Sequence, residues 1–140
     1  GKDKDEDEEI KAGSFSVGRP VQKGNTPRGN ERFAALVDAV FDLEQILMPH
    51  RPPSTMAAIN RRAQFLPHKD AGAGFGQSKS MIVGLGEYQG GQLAVEGDIY
   101  DIRYQPLEFD GWKQMHWTLP FEGERFSIVW FSPADQDGNV

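Results

Sequence analysis

The apolar positions of this chain change period once, and the change divides it into a helical front and a strand-rich body. From 33 to 47 they recur at helical spacing: Phe33, Leu36, Val37, Val40, Leu43 or Glu44, and Leu47. Asn30 is a candidate N-cap, and Glu31 suits the first turn, where exposed amides favour negative charge. Pro49 ends the pattern because it cannot donate to a helical ladder. The spacing therefore predicts one helix, with a single apolar stripe to lay on the outside of a sheet.

After the rigid connector Arg51-Pro52-Pro53 the runs become short. Thr55 to Leu66 and Ser80 to Tyr88 read as strands, the second carrying Met81-Ile82-Val83-Gly84-Leu85-Gly86. Gln92 to Val95, Ile99 to Tyr104, Leu107 to Phe109, Trp112 to Leu119 and Arg125 to Phe131 follow. Gly90-Gly91, Glu96-Gly97-Asp98, Asp110-Gly111 and the connection Pro120 to Gly123 separate them. Many short strands between regular turns predict an antiparallel barrel or sandwich. Gly84 and Gly86 share a strand face without side chains, which leaves room for a ligand or for close backbone packing. No Gly-rich turn opens a helix, so they form no dinucleotide fingerprint.

These boundaries give one folded domain over 31–133. In front of it, 1–30 reads as an acidic disordered tail and a Gly/Pro-rich linker; behind it, 134–140 is a polar C-terminal tail. Ala71 to Gln77 holds three glycines and reads as a mobile loop, either a lid or an ordinary hairpin loop.

Composition narrows the function classes. The 140 residues are 38% hydrophobic and 11% aromatic, enough for a real core. There is no cysteine, which excludes disulfides, zinc fingers and iron–sulfur centres. No signal-peptide pattern and no apolar run of membrane length is present. An intracellular setting and no membrane partner are therefore expected. The net charge is −6, and residues 1–10 hold six acids against two lysines, so the rest carries only −2. That balance does not support bulk nucleic-acid binding, although Arg61, Arg62, Lys69 and Arg103 could form a local basic rim.

The candidate chemistry lies in Leu66-Pro67-His68-Lys69-Asp70-Ala71-Gly72. On an extended strand His68 and Asp70 point the same way, so an imidazole and a carboxylate can grip one cation. His116 lies 46 residues later. Two histidines and one carboxylate are the ligand set of a non-haem Fe(II) site that keeps open positions. Zinc could take the same three ligands and make the site hydrolytic. Nine residues past His116, Arg125 and Ser127 share a strand face, and a guanidinium fork beside a hydroxyl suits a carboxylate. Asn60, Arg62 and Gln64 fall in phase with His68 and Asp70 if the strand is regular, and Asn60 joins Arg125 and Ser127 as a candidate co-substrate contact. Trp112, Trp117, Trp130 and Phe131 lie near the ligand strands, as core or as a stacking surface.

Three blocks in order, His68-x-Asp70, Glu87-Tyr88-Gln89-Gly90-Gly91-Gln92-Leu93 and His116 with Gly123-Glu124-Arg125-Phe126-Ser127, resemble the Fe(II)/2-oxoglutarate-dependent dioxygenases over roughly residues 56 to 133. The resemblance implies a double-stranded β-helix, a jelly-roll or cupin-like barrel, with the helix as its N-terminal support. It implies His68, Asp70 and His116 as catalytic metal ligands for Fe(II), with 2-oxoglutarate and O2 as co-substrates. Arg125 would bind the distal carboxylate of 2-oxoglutarate and Ser127 would add a hydrogen bond. The product would be a hydroxylated or oxidatively demethylated substrate. Two branches look similar: compact algal or protist oxygenases that act on pyrimidine bases in DNA, and prolyl hydroxylases that act on peptides. A metal-free binding or scaffold module on the same barrel is the alternative.

Overall fold

Residues 12–19, 27–70 and 79–133 are described by a computed structural model of the chain. The acidic tail, the glycine-rich stretch after Asp70 and the C-terminal tail lie outside the described residues, and the expectations for them stay there.

Ten strands and two helices make up the described fold. In chain order they are β1 (Gly13–Gly18), α1 (Arg28–Arg32), α2 (Ala34–Leu47), β2 (Met56–Arg61), β3 (Ser80–Leu85), β4 (Tyr88–Gly90), β5 (Leu93–Val95), β6 (Asp98–Tyr100), β7 (Leu107–Phe109), β8 (His116–Thr118), β9 (Phe121–Gly123) and β10 (Phe126–Phe131). The large sheet has the order β1-β2-β10-β3-β7, a small sheet has β6-β5-β8, and β4 pairs with β9. Every pairing between these strands is antiparallel.

The period of two sorts each strand of the large sheet between two cores. Val17, Ala57, Met81, Val83, Ile128 and Trp130 face α2 and bury Val37, Val40 and Phe41. The Trp130 indole donates to the Val40 carbonyl at 2.9 Å, so this tryptophan is core and not a stacking surface. The alternate residues face the small sheet, where Ile82, Leu93, Val95, Ile102 and Phe109 cluster. On that inner side Ser14 stands opposite Asn60, Asn60 opposite Ser127, and Ser127 opposite Gly84. One row thus crosses four strands, from exposed Ser14 at the sheet edge through buried Asn60 and Ser127 to Gly84.

Several expectations are corrected. Part of the stretch read as linker is β1, which forms the edge of the large sheet. The single helix is two helices broken at Phe33, whose ψ of 46° is not helical. Asn30 caps nothing. Its side chain accepts from the Gly18 amide at 2.8 Å and donates to the Gly18 carbonyl at 2.7 Å, tying α1 to β1. Glu44, on the buried stripe, accepts from Arg51 at 2.8 Å and from the Ser54 hydroxyl at 2.6 Å, which pins the proline connector to the helix. The strand read through Leu66 stops at Arg61, because Arg62 takes φ 54° and turns the chain out of the sheet. The common phase of Arg62 and Gln64 with the ligands is lost there, while Asn60 keeps its inward place. Pro120 to Gly123, read as a connection, contains β9.

Candidate metal and co-substrate site

The ligand motif is held by backbone pairing, not by a named strand. His68 and His116 exchange backbone hydrogen bonds of 3.1 and 3.0 Å, and the Asp70 amide donates to the Gly111 carbonyl at 2.9 Å. His116 is at the same time opposite Val95 in the small sheet. This extended geometry brings His68, Asp70 and His116 together, as expected, with one ligand atom from each within 4.8 Å of the others. Asp70 Oδ1 lies 3.3 Å from His68 Nε2 and 3.2 Å from His116 Nε2.

The other imidazole nitrogens fix the tautomers. His68 Nδ1 is 2.7 Å from the Leu66 carbonyl and His116 Nδ1 is 2.8 Å from the Gln114 carbonyl. A carbonyl only accepts, so each Nδ1 carries hydrogen and each Nε2 lone pair is left for a cation. Burial disfavours a charged His116. The hydrogen bonds to Asp70 and to the Gln114 carbonyl, with the Asp70 charge, outweigh it and raise its pKa above the usual value. The three donors, two imidazoles and a carboxylate on one side, suit a divalent ion such as Fe(II) that keeps open positions.

Arg125 is buried at 1% exposure. Its Nε and Nη2 donate to the Gly91 carbonyl at 3.3 and 3.1 Å, and Nη1 is 3.5 Å from the Ala63 carbonyl. No carboxylate pairs with it among the described residues. Burial pulls its pKa below the ordinary arginine value, with Tyr88 opposing. Next to it Asn60 Nδ2 donates to Ser127 Oγ at 3.1 Å, and Ser14 Oγ is 2.7 Å from Asn60 Oδ1. With its acceptor role used, the Ser127 hydroxyl has its proton free. All six expected residues, His68, Asp70, His116, Arg125, Ser127 and Asn60, line one cavity of about 290 Å³.

Several site residues were not expected. Phe65, Phe109, Leu93, Ile82 and Thr118 line the same cavity, as does Phe131, which the sequence offered as core or stacking surface. Tyr88, outside that lining, has a buried hydroxyl with no hydrogen-bond partner among the described residues, and that hydroxyl fills the place a side chain at residue 84 would take. The glycine face noticed at Gly84 is therefore occupied by close packing. Burial raises the Tyr88 phenol pKa, against the pull of Arg125, so it is a donor at neutral pH. The proposed basic rim is largely neutralised: Arg61 and Arg62 meet Glu124 at 2.6 and 3.6 Å, and Arg103 meets Glu87 at 3.1 Å.

The chain superposes on the solved structure of NgTET1 in complex with 5mC DNA with a TM-score of 0.67, covering 95% of this chain and 67% of that one at 14% identity. The fold is the double-stranded β-helix of the Fe(II)/2-oxoglutarate oxygenases. A second similar structure is an oxidoreductase of the 2OG-Fe(II) oxygenase family from Burkholderia pseudomallei, with a TM-score of 0.49 over 86% of this chain and 66% of that one at 21% identity. This chain thus spans about two-thirds of either structure's length. No protein-family model and no curated protein matches the sequence. No described helix is long and apolar enough to cross a membrane.

Proposed function

We propose that this chain is an Fe(II)- and 2-oxoglutarate-dependent oxygenase that hydroxylates or oxidatively demethylates its substrate. One observation carries the reading: a single cavity holds three convergent candidate metal ligands and a buried arginine with no acid partner among the described residues. A buried guanidinium lacking a carboxylate is costly, and an anionic ligand that enters the cavity removes the cost. A co-substrate with a metal-chelating end and a carboxylate end fits both features. A hydrolytic zinc site would leave Arg125 without a role.

His68, Asp70 and His116 would hold the ion. Arg125 would take the distal carboxylate, with Ser127 and Tyr88 adding hydroxyl donors. Asn60 fixes the direction of the Ser127 proton. When bound, Fe(II) with 2-oxoglutarate supplies the activation of O2 that oxidises a C–H bond. The apolar lining from Phe65, Phe109, Leu93 and Phe131 excludes water from that chemistry. Because the fold is shared with a protein bound to 5mC DNA, a methylated base in DNA is the first substrate to try.

The test is anaerobic titration of the purified protein with Fe(II) and 2-oxoglutarate. The expected result is a weak visible charge-transfer band that needs both additions and disappears in Arg125→Ala. A wild-type protein that binds no Fe(II) and shows no band refutes the oxygenase reading and favours a scaffold module. Release of succinate on adding a duplex with 5-methylcytosine, and not on adding a proline peptide, would settle the substrate class.

A further inference from the structure

We infer that Gly111 is a positioning residue for the metal-binding carboxylate, glycine for the sake of Asp70 and not of its own backbone. The inference rests on the metal-site reading above. The Asp110-Gly111 pair reads in the sequence as a simple turn signal. Turn glycines are usually needed where φ is positive, and Gly86, Gly90, Gly91, Gly97 and Gly123 are of that kind. Gly111 is not: its φ lies outside the left-handed region, so an alanine there meets no backbone strain.

The space around it is what forbids a side chain. A Cβ at residue 111 would overlap Asp70 Oδ2, lie 3.1 Å from Asp70 Cγ and come within 3.2 Å of the Phe109 ring. The Gly111 carbonyl meanwhile accepts the Asp70 amide at 2.9 Å. One residue therefore anchors the Asp70 backbone and leaves a slot for its carboxylate. The carboxylate is a partly exposed side-chain end and can swing away cheaply, but doing so takes Oδ1 from its place between the two imidazoles.

The turn that carries Gly111 is itself fixed. The Gln114 amide donates to the Asp110 carbonyl at 2.8 Å, the Lys113 amide to Asp110 Oδ1 at 2.9 Å, and the Asp110 amide to Gln114 Oε1 at 2.9 Å. The same turn supplies the Gln114 carbonyl that sets the His116 tautomer. It thereby orients two of the three ligands from outside the ligand set, the kind of support whose loss weakens metal binding without unfolding a protein.

The experiment compares metal-free wild type, Gly111→Ala and, as a control, Gly13→Ala, whose added methyl meets nothing within 4 Å. Each is titrated with Co(II) alone, following the visible d–d spectrum and the binding constant, and each is melted without metal. For Gly111→Ala the expected result is a near-normal melting temperature, a Co(II) affinity lower by about tenfold or more, and an altered spectrum. Gly13→Ala should match wild type. Wild-type affinity and spectrum in Gly111→Ala overturn the inference while leaving the metal site intact, whereas a wild type that binds no Co(II) overturns the metal-site reading as well. If Gly111→Ala melts early, Asp70→Ala/Gly111→Ala decides. Recovery to the stability of Asp70→Ala shows that the methyl clashes with the carboxylate, and no recovery shows that the glycine serves the turn alone.

Discussion

Arg125→Met separates a structural arginine from one waiting for an anion, because the two roles give effects of opposite sign. In the ligand-free protein Arg125 is 1% exposed and, among the described residues, hydrogen-bonds to carbonyls alone, with two of those bonds at 3.3 and 3.5 Å. Its charge is desolvated with no opposite charge in return, as the lowered pKa also indicates. Methionine fills a similar volume without that penalty, so the metal-free variant should be as stable as wild type or more stable by about 1–2 kcal/mol. With 2-oxoglutarate bound, the same change strips a buried carboxylate of its cation. Breaking one side of a buried pair costs about 3–5 kcal/mol, which corresponds to a Kd weaker by roughly 10²-fold to a few thousandfold. Chemical denaturation measures the first quantity and anaerobic calorimetry with Mn(II) in place of Fe(II) measures the second. A variant that loses more than about 2 kcal/mol of stability yet binds 2-oxoglutarate normally would show that Arg125 is a strut and that another cation, or none, receives the co-substrate.

Asp70→Ala should abolish turnover and leave the metal-free fold intact; it should also drop the His116 pKa below the usual value, since burial then acts without the carboxylate that opposes it. An NMR titration of the His116 ring follows this, and an unchanged midpoint would disprove the contact. Tyr88→Phe removes a buried hydroxyl that has no partner, so metal-free stability should hold or rise by about 1 kcal/mol. Its 2-oxoglutarate Kd should rise severalfold by calorimetry; equal binding would exclude the phenol from the site. Glu44→Gln leaves Arg51 with Glu108, at 2.8 Å, as its remaining acid, and should cost about 1.5–3 kcal/mol in urea denaturation, with co-substrate binding unchanged; a loss under about 1 kcal/mol would make the network dispensable.

What could be read from the chain was what local pattern encodes. The stretches read as strands over Ser80 to Tyr88 and Arg125 to Phe131 contain β3 and β10, because a run of apolar and β-branched residues between turns signals a strand wherever it pairs. His68, Asp70 and His116, which the fold brings together, stand out in the chain because a candidate ligand set is a matter of residue type and order. The misread parts depend on contacts made elsewhere. Asn30 has the chemistry of an N-cap, yet it bonds to Gly18 on a strand that the linker-like composition of residues 12–30 concealed. Arg62 carries no turn signal, but its amide donates to the Arg125 carbonyl at 2.7 Å as the chain leaves the sheet, and that long-range contact sets the end of β2.

The same distinction explains why the co-substrate end of the site was only half legible. Arg125 and Ser127 announce themselves by charge and spacing. What makes Arg125 unusual is the absence of an acid around it, and absence is a property of the folded neighbourhood. Asn60, Ser127 and Gly84 lie in one cross-strand row although they come from three separate segments, and Tyr88 reaches the row only because residue 84 has no side chain. Two glycines thus differ in what surrounds them: the space beside Gly84 holds the Tyr88 hydroxyl, and a Cβ at residue 111 would meet the Asp70 carboxylate. In the sequence Gly84 reads as room on a strand face and Gly111 as half of a turn signal, and only the packing shows which atoms stand where their side chains would be.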